Sequence, residues 1–250
     1  MSSLIEPVLL SLAAGMATGI GGIMVLMLRR VGDRMMSFSM GLASGVMLLV
    51  AFNNLFLEAA KLLTHIELMI MFSLGALTMI GLDLAVPHIE LASGTKDSRN
   101  ARMLRTGGLI AIGITLHNFP EGFAVASGYT YMPGLGLIIA VAIMLHNIPE
   151  GVATAIPLAA AGMKPFKIAG ITFLSGLAEP IAALVGAVAL SLVGTRTLVG
   201  FSLVFAAGVM TYITADELIP VAHEYGYKHT VSVSLLLGII LALVVDVILS

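Results

Sequence analysis

Two short segments of this 250-residue chain carry the same reactive pattern. In LHNFPEG, His117, Asn118 and Glu121 fall at i, i+1 and i+4, so a helix would stack His117 and Glu121 on one face with Asn118 beside them. His146, Asn147 and Glu150 repeat the pattern in LHNIPEG. Both segments lie well inside apolar stretches, where an ionised carboxylate is costly unless a cation or a partner neutralises it. Two such carboxylates on neighbouring helices call for a cation between them. Imidazole nitrogen, amide oxygen and carboxylate together suit borderline divalent ions such as Zn2+ and Fe2+, whereas an all-oxygen set would point to Mg2+ or Ca2+. The chain has no cysteine, which removes disulfides, thiolate metal sites and cysteine nucleophiles together.

Pro120 and Pro149 sit inside the two patterns. A mid-helix proline cannot donate to the carbonyl four residues back, which frees the oxygens of Leu116 and Leu145 beside the candidate ligands. Gly122 and Gly151, each following the glutamate, allow another backbone to approach closely. Glu179 in LSGLAEP is a third intramembrane carboxylate, readable as a ligand or as a neutral acid hydrogen-bonded between helices. Weaker candidates are Asn53, Asn54 and Glu58 toward one surface, and Asp216 and Glu217 toward the other. They read equally as path residues or as charges at helix ends. Met47 could offer a thioether, but among 16 methionines it reads as packing. His88, Glu90, His223, Glu224 and His229 cluster near the ends of three helices, where they could receive released ions or simply be solvated caps.

The elements that must position these groups are membrane helices. The chain is 59% hydrophobic and 10% charged, with a mean hydropathy of +1.07. Such a composition excludes an ordinary water-soluble enzyme, a nucleic-acid binder and a disordered regulator. Eight apolar stretches, at 7–28, 36–60, 66–89, 106–128, 134–161, 167–193, 198–221 and 230–249, are each long enough to cross about 30 Å as a helix. Their continuity argues against a β-barrel, whose strands would alternate. The first stretch has no basic segment before it and is read as a retained helix, not a signal peptide. With both termini outside, inside loops hold Arg29, Arg30, Arg34, Lys96, Arg99, Arg102, Arg105, Lys164, Lys167 and Lys228, and outside loops hold only Lys61 and Arg196. The longest loop, 90–105, is then cytoplasmic.

The sequence also repeats itself. ITLHNFPEGFAVA (114–126) pairs with IMLHNIPEGVATA (143–155) at an offset of 29, in adjacent and therefore opposed crossings. At an offset of 163, residues 38–60 match 201–223 with eight identities in 23, and the same offset pairs Gly75 with Gly238, Asp83 with Asp246, and Asn53 and Asn54 with Asp216 and Glu217. Helices one to three then recur upside down as six to eight, around an inverted pair of helices four and five. Inverted repeats with polar, proline-bearing helices at mid-membrane point to a secondary transporter. No nucleotide-binding loop of the P-loop type is present to couple hydrolysis.

HNFPEG and HNIPEG, with GLAEP (176–180), DELIP (216–220) and eight crossings, make this chain resemble the ZIP (Zrt/Irt-like) family of metal transporters, closest to its prokaryotic ZupT/GufA-like branch. The resemblance spans essentially the whole chain, 1–250, as one transmembrane domain. It implies a 3+2+3 inverted-repeat bundle and uptake of divalent metal into the cytosol across the cell membrane, with zinc first and iron, manganese or cadmium as further cargo. It also implies a binuclear centre, with His117, Glu121, His146 and Glu150 in a first site, Asn118, Asn147 and Glu179 in a second, and both hexapeptide glutamates bridging. Metal would be cargo and not a cofactor, nucleic acid would not be a partner, and small-residue faces would allow a homodimer. The runner-up is an intramembrane metal-dependent hydrolase. Its protease versions use H-E-x-x-H, and here asparagine follows histidine.

Overall fold

The computed structural model describes residues 2–28, 32–85, 99–193 and 196–249. The side chains of His117 and Asp83, and all of 86–98 with His88 and Glu90, lie outside the described residues. The rest is helical, and no strand occurs among the described residues. In chain order the helices are α1 (Ser2–Leu28), α2 (Asp33–Ala60), α3 (His65–Ala85), α4 (Arg99–Tyr131), α5 (Pro133–Ala160), α6 in two pieces (Pro165–Gly176 and Ala178–Val193), α7 (Arg196–Glu224) and α8 (Lys228–Leu249). Seven of them are long and apolar enough to cross a membrane. In α4 the side chains of most residues from 99 to 110, and that of His117, lie outside the described residues.

Two boundaries differ from expectation for physical reasons. Helix α4 begins at Arg99, inside the stretch 90–105 read as loop, because Arg99, Ala101, Met103, Leu104 and Arg105 are good helix formers that extend the apolar run. Stretch 167–193 is broken at Leu177. Pro180 cannot donate to the Gly176 carbonyl, so the helix restarts with Glu179 in its first turn. Helices α2 and α7 each contain a π-helical segment, Val50–Phe56 and Thr214–Leu218. These segments hold Asn53 and Asn54, and Asp216 and Glu217, the polar pairs related by the offset of 163. A single extended residue, Met132, joins α4 to α5, with Pro133 at the first helical position, where its missing N–H is not needed. After α5, Gly162 takes a left-handed φ of 79°, and the Met163 and Gly162 amides donate to Leu158 and Ala159 to close the helix.

The helices sort into two bundles. Helix α1 packs along α5 and both pieces of α6, and α4 along α5 and the second piece of α6. Helix α2 packs along α8, α3 along α7, and α2 also meets α7. The bundles touch through α4 against α7 and α2 and α8 against α5. Among the seven long apolar helices, α5 is the most enclosed, 72% buried over its apolar window, against 17% for α3 and 22% for α8. Large side chains such as Ile66, Met69, Ile70, Leu236 and Val247 point outward from the peripheral helices, a surface that suits lipid and not water.

Backbones come into direct contact at glycines. A Cβ on Gly45 would strike the Leu235 carbonyl, and one on Gly238 the Leu42 carbonyl. A Cβ on Gly208 would strike the Phe72 carbonyl, and one on Gly75 the Phe205 carbonyl. Shifting each residue of the first pair of contacts by 163 yields the second pair. The two helix crossings, α2 with α8 and α7 with α3, are thus built from repeat-related residues in repeat-related contact.

Candidate metal centre

The tight turn at Met132 and Pro133 folds α5 back along α4. At 1.5 Å rise per residue, this sets Glu121 level with His146 and position 117 level with Glu150. Gly151 and Gly122 then admit neighbouring backbones. A Cβ on Gly151 would meet the Thr18 carbonyl of α1, and one on Gly122 the Glu179 carbonyl of α6. The close approach expected at these two glycines is therefore what the packing uses.

At the level so fixed, Glu121, His146 and Glu150 each offer a ligand atom, and these atoms lie within 4.8 Å of one another. All three residues are buried. The Nε2 atom of His146 is 3.1 Å from Oε1 of Glu121, and its Nδ1 faces the Ala142 carbonyl at 3.2 Å. A carbonyl only accepts, so Nδ1 carries the hydrogen and Nε2 of the neutral ring turns its lone pair to the carboxylate. Two electron-pair donors aimed at one another need a proton or a cation between them. The ring orientation, fixed by a backbone oxygen, is the arrangement that metal-binding histidines use.

The asparagines are fixed in the same way. Nδ2 of Asn147 donates to the Ala14 carbonyl at 2.9 Å and also to Oε1 of Glu179, and Nδ2 of Asn118 donates to the Ser175 carbonyl at 3.1 Å. Since the acceptors can only accept, the amide orientations are settled, and each Oδ1 points away from its anchor. Among the described residues, Oδ1 of both asparagines, Oε2 of Glu121 and Oε2 of Glu179 are buried without a hydrogen-bond partner. Glu179 is close enough to Glu121 and Glu150 for the three carboxylates to repel one another. A buried pocket of carboxylate, amide and imidazole donors with oxygens left over is costly as an ion-free core and well matched to divalent cations.

The structure thus brings together Glu121, His146 and Glu150 directly, and Asn118, Asn147 and Glu179 around them. His117 occupies the α4 position level with Glu150, while its side chain lies outside the described residues. Asn53 and Asn54 sit elsewhere, donating to the two carboxylate oxygens of Asp246 on α8 at 3.1 and 2.8 Å. Glu58 pairs with Lys61 at the end of α2, an i,i+3 surface pair. His223 is exposed and bonds back to the Ile219 carbonyl. Met47 is fully buried in the apolar core, as packing requires. The partner role of Asp246 escaped the sequence reading, although the offset of 163 had already marked it as the counterpart of Asp83. The Ala14 and Ser175 carbonyls left no signal, since any residue supplies a carbonyl.

A helical bundle holding a buried carboxylate, imidazole and amide centre on proline-bearing helices defines a membrane metal-handling protein. The chain belongs to the ZIP Zinc transporter family, whose profile matches residues 87–246. Among its relatives, the zinc transporter ZupT of Chlorobaculum parvum is 38% identical over 259 residues, covering 96% of each chain. The zinc transporter ZupT of Chlorobium limicola is 37% identical over 95% of this chain and 96% of its own. That of Corynebacterium aurimucosum is 37% identical over 92% and 91%.

Proposed function

We propose that this protein carries zinc and chemically similar divalent cations through the membrane into the cytosol, by way of a mid-membrane centre on α4, α5 and α6. The observation that carries this reading is the buried Glu121, His146 and Glu150 cluster, with Asn118, Asn147 and Glu179 around it. The repeated hexapeptide adds His117 to this ligand set by its motif, and the number of donors suits two ions with Glu121 and Glu150 shared between them. Iron, manganese and cadmium are further cargo, because the ligand set ranks ions by affinity without excluding them by geometry.

The chain crosses the cell membrane eight times with both termini outside, as one domain over 1–250. The repeat-related glycine contacts of α2 with α8 and of α7 with α3 support the 3+2+3 inverted arrangement. Alternating access comes from α1, α4, α5 and α6 moving as a unit against α2, α3, α7 and α8, the division that helix packing supports. The hydrolase reading is not favoured. Asparagine, and not a general base, follows each histidine, and the chain belongs to a family of transporters.

The test is zero-trans zinc uptake into proteoliposomes carrying the purified protein, beside Glu121→Ala/Glu150→Ala. Saturable uptake that the double variant loses supports the reading. Uptake that survives in the double variant removes the centre from the transport path.

A further inference from the structure

The centre has an internal two-fold relation that its chemistry does not obey. Three independent contacts define the relation. Asn147 of α5 donates to the Ala14 carbonyl as Asn118 of α4 donates to that of Ser175. Gly151 faces the Thr18 carbonyl as Gly122 faces that of Glu179, and Gly15 and Gly176 face each other's carbonyls reciprocally. All three place α1 onto α6 with one offset of 161, so that Ala14 matches Ser175, Gly15 matches Gly176 and Thr18 matches Glu179. The counterpart of the carboxylate that binds Asn147 is therefore a threonine hydroxyl on the Asn118 side.

Thr18 is fully buried, and among the described residues its Oγ1 has no hydrogen-bond partner. A helical threonine or serine ordinarily bonds back to the carbonyl four residues earlier, as Thr115, Thr130, Thr214 and Ser44 do here. For Thr18 that carbonyl belongs to Ala14, and Asn147 occupies it. Ser11, Ser37, Ser127 and Thr154 are also buried without a partner, but none of them is the two-fold mate of a site carboxylate. On the same side, Oδ1 of Asn118 is likewise buried and unpartnered. The two-fold relation assigns this hydroxyl and this amide oxygen to one side of the centre, where a ligand that donates hydrogens would satisfy them, and water on a divalent ion is such a ligand.

We infer that Thr18 is a further cargo-positioning residue, whose hydroxyl holds a water of the hydrated cation on the Asn118 side of the centre, where its two-fold mate Glu179 supplies a carboxylate on the Asn147 side. The centre is then lopsided by design of the repeat, anionic toward α6 and neutral toward α1. An ion on the neutral side keeps part of its water and is the easier of the two to give up. This inference rests on the metal-centre reading above.

The test compares zinc uptake kinetics in proteoliposomes for the wild type, Thr18→Val, Thr18→Ser and Ser37→Ala. Valine keeps the shape and removes the hydroxyl. We expect KM for zinc to rise about three- to tenfold in Thr18→Val with Vmax within about twofold, consistent with loss of one hydrogen bond. Thr18→Ser restores the wild-type KM, and Ser37→Ala, which removes a buried hydroxyl from α2, leaves it unchanged. If Thr18→Val melts far below the wild type, Thr18→Ala takes its place. An unchanged KM in the folded variant, or a serine that fails to restore it, overturns the inference. Glu121→Ala separates the two levels. If it still transports, the metal-centre reading fails, whereas an inactive Glu121→Ala beside an unaffected Thr18→Val refutes only the role of Thr18.

Discussion

The bundle of α1, α4, α5 and α6 and the bundle of α2, α3, α7 and α8 bring their helices together in the same way, at glycines that accept a neighbouring carbonyl. What they enclose differs. Around Gly122, Gly151 and Gly176 the first bundle buries Glu121, Glu150, Glu179, His146 and two asparagines. Around Gly45, Gly75, Gly208 and Gly238 the second buries apolar groups such as Val46, Met47, Val209 and Met210, with small hydroxyls such as Ser44 bonded back to their own helix. Close packing alone therefore does not make a site. In the first bundle the buried backbone oxygens of Ala14, Ala142 and Ser175 orient the polar side chains, whereas in the second the glycine crossings meet neighbouring carbonyls, and Asn53 and Asn54 link α2 to α8 through Asp246.

Substitutions should divide along this line, with the largest effects inside the first bundle. Glu150→Ala or His146→Ala removes a donor from the buried cluster, and we expect zinc uptake to fall by about two orders of magnitude or more, measured in proteoliposomes, exceeding the loss typical of an outer-shell partner. Gly151→Ala pushes α1 off α5, so uptake and melting temperature should fall together. Gly238→Ala, the same change in the second bundle, should destabilise by about 1–3 kcal/mol while the bound zinc per protein stays unchanged. Equal loss of zinc binding in both glycine variants would erase the distinction between the bundles.

Acidity should likewise act on one bundle. Zinc binding needs His146 neutral and the glutamates ionised, so protonation competes with the metal and binding releases protons. Zinc affinity should therefore fall as the solution is made more acidic. A zinc titration at several pH values in His146→Ala should show that dependence weakened. A smaller effect belongs to the second bundle. Asp246→Ala leaves Asn53 and Asn54 without their acceptor, and we expect a loss of about 1 kcal/mol in stability with zinc stoichiometry intact. The smallest is Lys61→Ala at the exposed pair with Glu58, which should leave uptake and melting temperature at wild-type values.

The sequence made the site legible wherever it repeated itself. The doubled hexapeptide singled out Glu121, His146 and Glu150 through the same donors at the same spacing on two opposed helices, and the structure brings these three together. The offset of 163 paired Gly75 with Gly238 and Asn53 and Asn54 with Asp216 and Glu217, and the structure adds that the glycines lie at helix crossings and the polar pairs in the two π-helical segments. What stayed hidden was supplied by the backbone. The break at Leu177 follows from Pro180, yet Pro120, Pro149 and Pro157 leave their helices continuous, so proline alone did not say where a helix would part. The early start of α4 was masked because arginine and asparagine read as loop in a chain judged by apolar runs. Thr18 carries no motif, and only the contacts relating α1 to α6 single it out.

The most direct test of the account is anomalous diffraction at the zinc absorption edge from zinc-loaded crystals. The account predicts density within about 2.0–2.2 Å of Nε2 of His146 and of carboxylate oxygens of Glu121 and Glu150. Density confined to Asp246, or to the exposed histidines His223 and His229, with the space between α4 and α5 filled by side-chain hydrogen bonds alone, would contradict it.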